Sequence, residues 1–182
     1  MDCLETAAFP GQSDEEIRRL LHMVVVGGGP TGVEFGAELW DFLHDDLAKW
    51  YPDLSSKVKI TLIEALPHVL PMFSKTLVEY TEKTFAENKL EILTNTSVKR
   101  VTSDSIQVES KDLNLKYEIP YGLLVWAAGN APRPIVKNLI SKLNPQEQSQ
   151  RRGIVVDDWL HVKGLELESE GIWALGDASA SK

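Results

Sequence analysis

The run VVVGGGPTGVEF places Gly27, Gly29 and Gly32 in the spacing G-x-G-x-x-G, between a string of valines and a segment of helical character. Each glycine has its own task when such a turn holds a phosphate chain. The first makes the tight turn, the second lets a pyrophosphate come up to the backbone, and the third lets helix and strand pack closely. With Pro30 and Thr31 the loop opens a helix whose first N–H groups and partial positive charge face the ligand. The chemistry is that of dinucleotide binding. Its second handle is an acid ending the next strand, and Glu64 in TLIEA has that place. A carboxylate there accepts the adenosine ribose hydroxyls and repels a 2′-phosphate, which favours NADH over NADPH. Glu64 stands 32 residues after Gly32, beyond the usual ~20, and a long first helix running into DDLAKWYPDLSSK takes up the excess.

These residues need a parallel sheet to position them. HMVVVG reads as a strand buried on both faces. A helix is expected from about Thr31 to Trp50, with Val33, Ala37, Trp40 and Leu47 at helical spacing and Pro52 just beyond its end. VKITLIEA is the second strand, and Ser74 caps a helix reaching about Asn88. From Glu91 to Ile119 the chain breaks into the β-rich pieces SVKRV, SIQVES and KYEI between polar turns, the pattern of an antiparallel meander. LLVWAAGN supplies one more buried strand. A helix around residues 136–143, the polar loop NPQEQSQRRG and a short apolar strand at 172–175 then lead to Gly176 and Asp177. Upstream, Ser13 and Glu16 form a capping box for a short helix with the apolar face Ile17, Leu20 and Leu21. The order predicts an α/β fold, a Rossmann-like parallel sheet with a β-meander.

With 182 residues, 43% of them hydrophobic and 25% charged, the chain has the composition of a globular protein of one domain, or of one domain and part of another. A net charge of -8 without a basic stripe argues against nucleic-acid binding. No apolar run approaches the ~18 residues of a spanning helix. The single cysteine, Cys3, excludes an internal disulfide and a CxxC redox pair, and the four histidines have no metal-ligand spacing, so no metal is expected. The acidic start MDCLETAAFPGQSDEE has neither the apolar core nor the Arg-rich character of a targeting segment.

In order, LLHMVVVGGGPTGVEFGAEL, ITLIEA with VLPMF, GLLVWAAGN, and RGIVVDDWLHVKG with GIWALGDAS resemble consecutive blocks of one family. These are the type II (alternative, non-proton-pumping) NADH:ubiquinone oxidoreductases of the two-dinucleotide-binding-domain flavoproteins, in their eukaryotic mitochondrial form. The resemblance implies that residues 1–21 are a helical connection from an FAD half-domain, 22–126 the NADH-binding Rossmann domain, and 127–182 the start of the second half of the FAD-binding domain. It implies a fragment, inactive alone, with the FAD glycine turn, quinone pocket and membrane-binding helices lying outside it.

By the same resemblance Glu34 faces the nicotinamide, where a carboxylate fixes the ring or tunes the charge transfer. It is equally an acid well placed in a first helical turn, and Glu38 is read only in that second way. Gly129 and Asn130 end a strand at its carboxyl edge, where open α/β sheets bind ligands, and line the junction of nicotinamide and flavin. In GIWALGDASA, Gly176 precedes Asp177, which the resemblance makes a ligand of the FAD ribityl chain and which otherwise reads as an N-cap. The implied reaction passes hydride from NADH to FAD and on to ubiquinone. The whole enzyme is then expected to be a homodimer, held peripherally on the mitochondrial inner membrane through a C-terminal segment. An NADH-binding module without turnover and another pyridine-nucleotide-dependent flavoprotein reductase are the alternatives. Ala128 stands where the family often has Thr and Ala178 where it often has Cys, and neither change removes a phosphate-binding group. No D-x-D-x-D-G run supports an inserted calcium loop.

Overall fold

A computed structural model of the chain describes residues 2–150, 153–165 and 171–180. It divides into two compact units, Met1–Ala128 and Gly129–Lys182.

The first unit opens with helices α1 (Asp2–Ala8) and α2 (Asp14–Leu20), followed by strand β1 (His22–Val26). The Ser13 hydroxyl accepts the Glu16 N–H at 3.2 Å, as the capping box requires. Leu4, Ala7, Leu20 and Leu21 share one core with Met23, so residues 2–21 fold as part of this unit. After β1 come α3 (Pro30–Asp41), one wide π turn (Phe42–Leu47), α4 (Ala48–Trp50) and α5 (Pro52–Ser55). The single long helix expected from Thr31 to Trp50 is therefore interrupted. The wide turn keeps Leu43 and Leu47 in the core and stacks the Trp40 ring on His44 with centroids 3.9 Å apart.

Strand β2 (Lys59–Ile63), helix α6 (Lys75–Glu87, with the Ser74 hydroxyl accepting the Leu77 N–H) and strand β3 (Glu91–Leu93) follow. The chain then forms the meander β4 (Thr96–Val101), β5 (Ser105–Ser110) and β6 (Leu115–Pro120) before returning as β7 (Leu123–Trp126). Four parallel strands stand in the order β3-β2-β1-β7, and the meander is a separate antiparallel sheet, β4-β5-β6. Glu91–Leu93, grouped in the sequence with the meander, joins the parallel sheet through Thr61 to Ile63.

Alternation along β1 sorts its two faces. Met23 packs with Ile60 and Leu62 under the helices, whereas Val24 and Val26 pack with Ile63 against Ile106, Val108, Ile119 and Tyr121 of the meander side. Because both faces are covered, β1 is buried from end to end, which explains its unbroken apolar run.

The second unit holds α7 (Pro134–Ile140), β8 (Ile154–Val155), a 3-10 turn (Gly176–Ala178) and β9 (Ser179–Ala180). Strand β8 pairs with β9 in parallel. Leu143, Ile154, Val156, Val162 and Ala174 form its core. The buried Gln148 side chain staples it by accepting the Val155 N–H at 2.9 Å and donating to the Lys163 carbonyl at 2.8 Å. The strand expected at 172–175 does not form. Only Trp173 makes a bridge, to His161. The facing segment is bent by Asp157, whose carboxylate accepts from the N–H groups of Trp159 and His161, and the ladder is displaced to 179–180. Among the described residues no helix is long and apolar enough to cross a membrane.

Candidate functional site

The order of the parallel strands reverses at β1, since the chain runs from β1 to β2 on one side and later to β7 on the other. In open α/β sheets ligands bind at the carboxyl ends of the strands at such a point. Gly27 follows β1 there, with φ +115 and its N–H donated to the Ile63 carbonyl at 2.8 Å. A β-carbon on Gly27 would stand 2.8 Å from the Ala127 carbonyl oxygen, and one on Gly32 would stand 1.9 Å from that of Gly27. Packing of helix on turn thus dictates both glycines. Gly29 differs, because nothing lies within 4 Å of where its β-carbon would be. Its neighbours leave open the space that a phosphate chain needs.

Gly29 is the N-cap of α3 and Pro30 its first residue. The first amide to find an intrahelical acceptor is Val33, bonded to the Gly29 carbonyl at 3.0 Å. The N–H groups of Thr31 and Gly32 therefore have no acceptor among the described residues, and they open onto the same turn. Two free donors at a positive helix end make an anion cradle.

Glu64 stands just beyond β2, and its carboxylate reaches into the turn. One oxygen accepts the Gly28 N–H at 2.6 Å and the other accepts the Leu66 N–H at 2.8 Å. A β-carbon on Gly28 would lie 2.9 Å from that first oxygen, so the middle glycine of GGG makes room for the acid. The spacing pattern missed this contact, although Gly28, the glycine that G-x-G-x-x-G does not require, was its signal. Each carboxylate oxygen keeps a lone pair for a ribose hydroxyl. The Leu70 N–H, donated to the Gly28 carbonyl at 2.7 Å, ties down the loop that follows. That loop lines an apolar cavity of about 470 Å³ with Leu66, Pro67, His68, Pro71, Phe73 and Val78.

Glu34 is exposed in the first turns of α3. Gly129 (φ +82), Asn130, Gly176 (φ +62) and Asp177 belong to the second unit, all four exposed. Within that unit Asp177 sits on the 3-10 turn, held by the Ser179 hydroxyl donating to the Gly176 carbonyl at 3.0 Å. The structure thus brings Gly27 to Gly32 and Glu64 together in the first unit. Arg152, which begins the block RGIVVDDWLHVKG, lies outside the described residues. No group of His, Cys, Asp and Glu that could hold a metal occurs among the described residues. Cys3 donates its thiol hydrogen to the Gly122 carbonyl at 2.9 Å.

At the opposite, amino edge of the sheet is a polar chain that sequence reading did not find. The His22 Nε2 lies 2.8 Å from the Thr61 hydroxyl, which donates to Glu91 at 2.8 Å, and Glu91 pairs with Lys59 at 2.9 Å. Burial pushes the His22 ring below the ordinary histidine range, and the Lys59 charge adds to the effect.

Comparison with known proteins gives the family of the chain. The sequence model for pyridine nucleotide-disulphide oxidoreductases matches residues 4–182. The external alternative NADH-ubiquinone oxidoreductase of Yarrowia lipolytica mitochondria is 56% identical over 186 residues, which takes in 100% of this chain and 31% of the relative. The external NADH-ubiquinone oxidoreductase 2 of Saccharomyces cerevisiae mitochondria is 46% identical, over 99% of this chain and 32% of the relative. The structure of NDH2 from Plasmodium falciparum in complex with NADH superposes with a TM-score of 0.82 at 34% identity, over 99% of this chain and 36% of that one. The chain spans about a third of the length of the relatives it matches. It belongs to the pyridine nucleotide-disulphide oxidoreductase family, and its relatives there are alternative NADH-ubiquinone oxidoreductases.

Proposed function

We propose that residues 22–126 are the NADH-binding part of an alternative NADH:ubiquinone oxidoreductase, and that residues 127–182 contribute to its FAD-binding domain. The observation that carries this reading is the open space at Gly29, over a helix start with two unpartnered N–H groups and beside Glu64. Gly29, Pro30, Thr31 and Gly32 hold the pyrophosphate, with the Thr31 and Gly32 amides as donors. Glu64 holds the adenosine ribose while keeping its bond to the Gly28 N–H. Glu34 lies on the nicotinamide side, and Gly129 and Asn130 line that end of the site. Gly176 and Asp177 meet the ribityl chain of FAD. The described residues contain a single strand, glycine turn and helix, at Gly27–Gly32, which fits the NADH pyrophosphate, and a second such turn for the FAD pyrophosphate is not among them. When bound, FAD supplies the acceptor for the nicotinamide hydride and the route to ubiquinone.

The relatives are named as mitochondrial proteins. That naming supports the mitochondrial part of our reading, to which we add, as a proposal, peripheral attachment to the inner membrane and a homodimer. Residues 1–182 by themselves bind NADH without turnover, a reading favoured by the single glycine turn among the described residues.

Titration of purified residues 1–182 with NADH and NADPH tests the site. NADH should bind more tightly, and Glu64→Gln should narrow the difference by weakening the ribose contact. Equal affinities in the unsubstituted chain refute the role of Glu64. A longer chain that restores a second strand, glycine turn and helix should purify yellow and reduce ubiquinone with NADH. A colourless, inactive product refutes the oxidoreductase reading.

A further inference from the structure

The amino edge of the parallel sheet carries a second concavity. The starts of β1 and β2 and the helix α2 surround a cavity of about 570 Å³, within the range of small-molecule sites. Arg18, Arg19, Lys57 and Lys59 line it together with the buried His22, in a chain whose net charge is -8. The acids there are Glu15 and Glu16.

Two of the four cations are engaged. Arg19 pairs with Glu16 at 2.6 Å and donates to the Tyr121 carbonyl at 2.8 Å, and Lys59 pairs with Glu91. Arg18 and Lys57, by contrast, have no acid partner among the described residues, and both face the cavity. A guanidinium and an ammonium lining one cavity, neither paired with an acid among the described residues, are suited to the oxygens of a phosphate. Glu15 also lacks a cationic partner among the described residues, and its carboxylate accepts hydroxyl groups while repelling a ligand charged throughout. The four residue steps of β1 put roughly 13 Å between this cavity and the glycine turn at the other edge.

We propose that this cavity is a second ligand site, taking a soluble phosphate monoester with a hydroxyl-bearing body: the phosphate on Arg18 and Lys57, the hydroxyls on Glu15. It is independent of the nucleotide site, and Arg18, Lys57 and Glu15 have no part in NADH binding.

The test follows backbone amide resonances of residues 1–182 during titration with glucose 6-phosphate, with inorganic phosphate and glucose as comparison probes. Glucose 6-phosphate should shift amides of residues 13–22 and 57–59, inorganic phosphate should do so more weakly, and glucose should leave them unmoved. Arg18→Gln with Lys57→Gln should weaken the sugar phosphate by about tenfold or more, while Glu15→Gln should tighten inorganic phosphate by about twofold to threefold through loss of a like charge. All three positions are exposed, so the variants should keep the parent's circular dichroism and NADH affinity. Shifts confined to residues 27–32 would overturn the proposal by placing the phosphate on the nucleotide turn. So would an unchanged affinity in the double variant, or inorganic phosphate binding as tightly as the ester. Co-sedimentation with vesicles of phosphatidic acid in phosphatidylcholine, lost in the double variant and without any response to the soluble ester, would give these cations to a lipid headgroup instead.

Discussion

Adding one methyl group at each of two glycines, three residues apart, should produce opposite failures. In Gly32→Ala the new β-carbon stands 1.9 Å from the Gly27 carbonyl oxygen, where ordinary contact begins at 3.4 Å, so turn and helix must part by about 1.5 Å. Gly27 cannot yield easily, because its N–H is bonded to the Ile63 carbonyl and its own Cα faces the Ala127 carbonyl. Overpacking of this kind costs about 1–3 kcal/mol, and the helix propensity of Ala over Gly returns at most ~1 kcal/mol. A net loss of about 1–2 kcal/mol is expected. In Gly29→Ala the methyl group meets no protein atom, and the folded chain loses only the N-cap preference for Gly, a few tenths to ~1 kcal/mol. Its methyl group occupies the ligand's space, however, and NADH affinity should fall at least about tenfold. Gly36→Ala is the control, since its β-carbon would lie 3.6 Å from the Phe85 ring, in ordinary contact, and stability should rise by ~0.5–1 kcal/mol. Urea unfolding followed by circular dichroism reads the stabilities, and nucleotide fluorescence reads the binding. If Gly32→Ala unfolds at the parent's urea concentration, or Gly29→Ala binds NADH as the parent does, the assignment of packing to one glycine and ligand space to the other is wrong.

Glu64→Ala strands the Gly28 and Leu66 amides that its carboxylate accepts, and should cost about 1–3 kcal/mol in urea unfolding even without nucleotide. A stability equal to the parent's would show that water replaces the carboxylate at no cost. For His22, burial holds the folded pKa below the ordinary 6.5, so the unfolded chain binds the extra proton as the pH falls. Stability should therefore be full above pH 6.5 and decline below it, by up to ~1.4 kcal/mol per pH unit until the folded ring also protonates. His22→Gln should flatten that decline between pH 7.5 and 5.5, and an unchanged slope would assign it to other groups.

Where one local rule decides the outcome, the sequence was legible. The glycine spacing, the Ser13 and Ser74 caps, the valine strand and the meander each follow from a short pattern, and each formed. Elements decided by distant partners were not. Glu91–Leu93 has too few residues for a period to show, and its place in the parallel sheet depends on pairing with Thr61 to Ile63. The strand expected at 172–175 gave way because Asp157 bends the segment it would pair with. At the site, the residue types around Gly27–Gly32 were readable, but the hold of Glu64 on the Gly28 amide came from folding two segments 36 residues apart against each other. The His22, Thr61 and Glu91 chain joins three strands and leaves no mark on any one of them.

Strand β1 has a consequence for how the chain is made. One of its neighbours, β7, pairs Leu123 with Met23, a hundred residues downstream. At a synthesis rate of ~5–20 residues per second, the valine edge of β1 waits roughly 5–20 s on the ribosome before that partner is translated. During this interval Val24, Val25 and Val26 present open backbone donors and acceptors and a strongly β-forming surface, the combination that recruits a second nascent chain. Within its sheet, β1 is thus translated before both of its neighbours and completed only when β7 arrives. Slow, partner-dependent closure of this kind gives a folding chain an early requirement for chaperone shelter, and it makes losses at the amino end of β7, around Leu123 and away from the glycine turn, appear as poor yield rather than as poor binding.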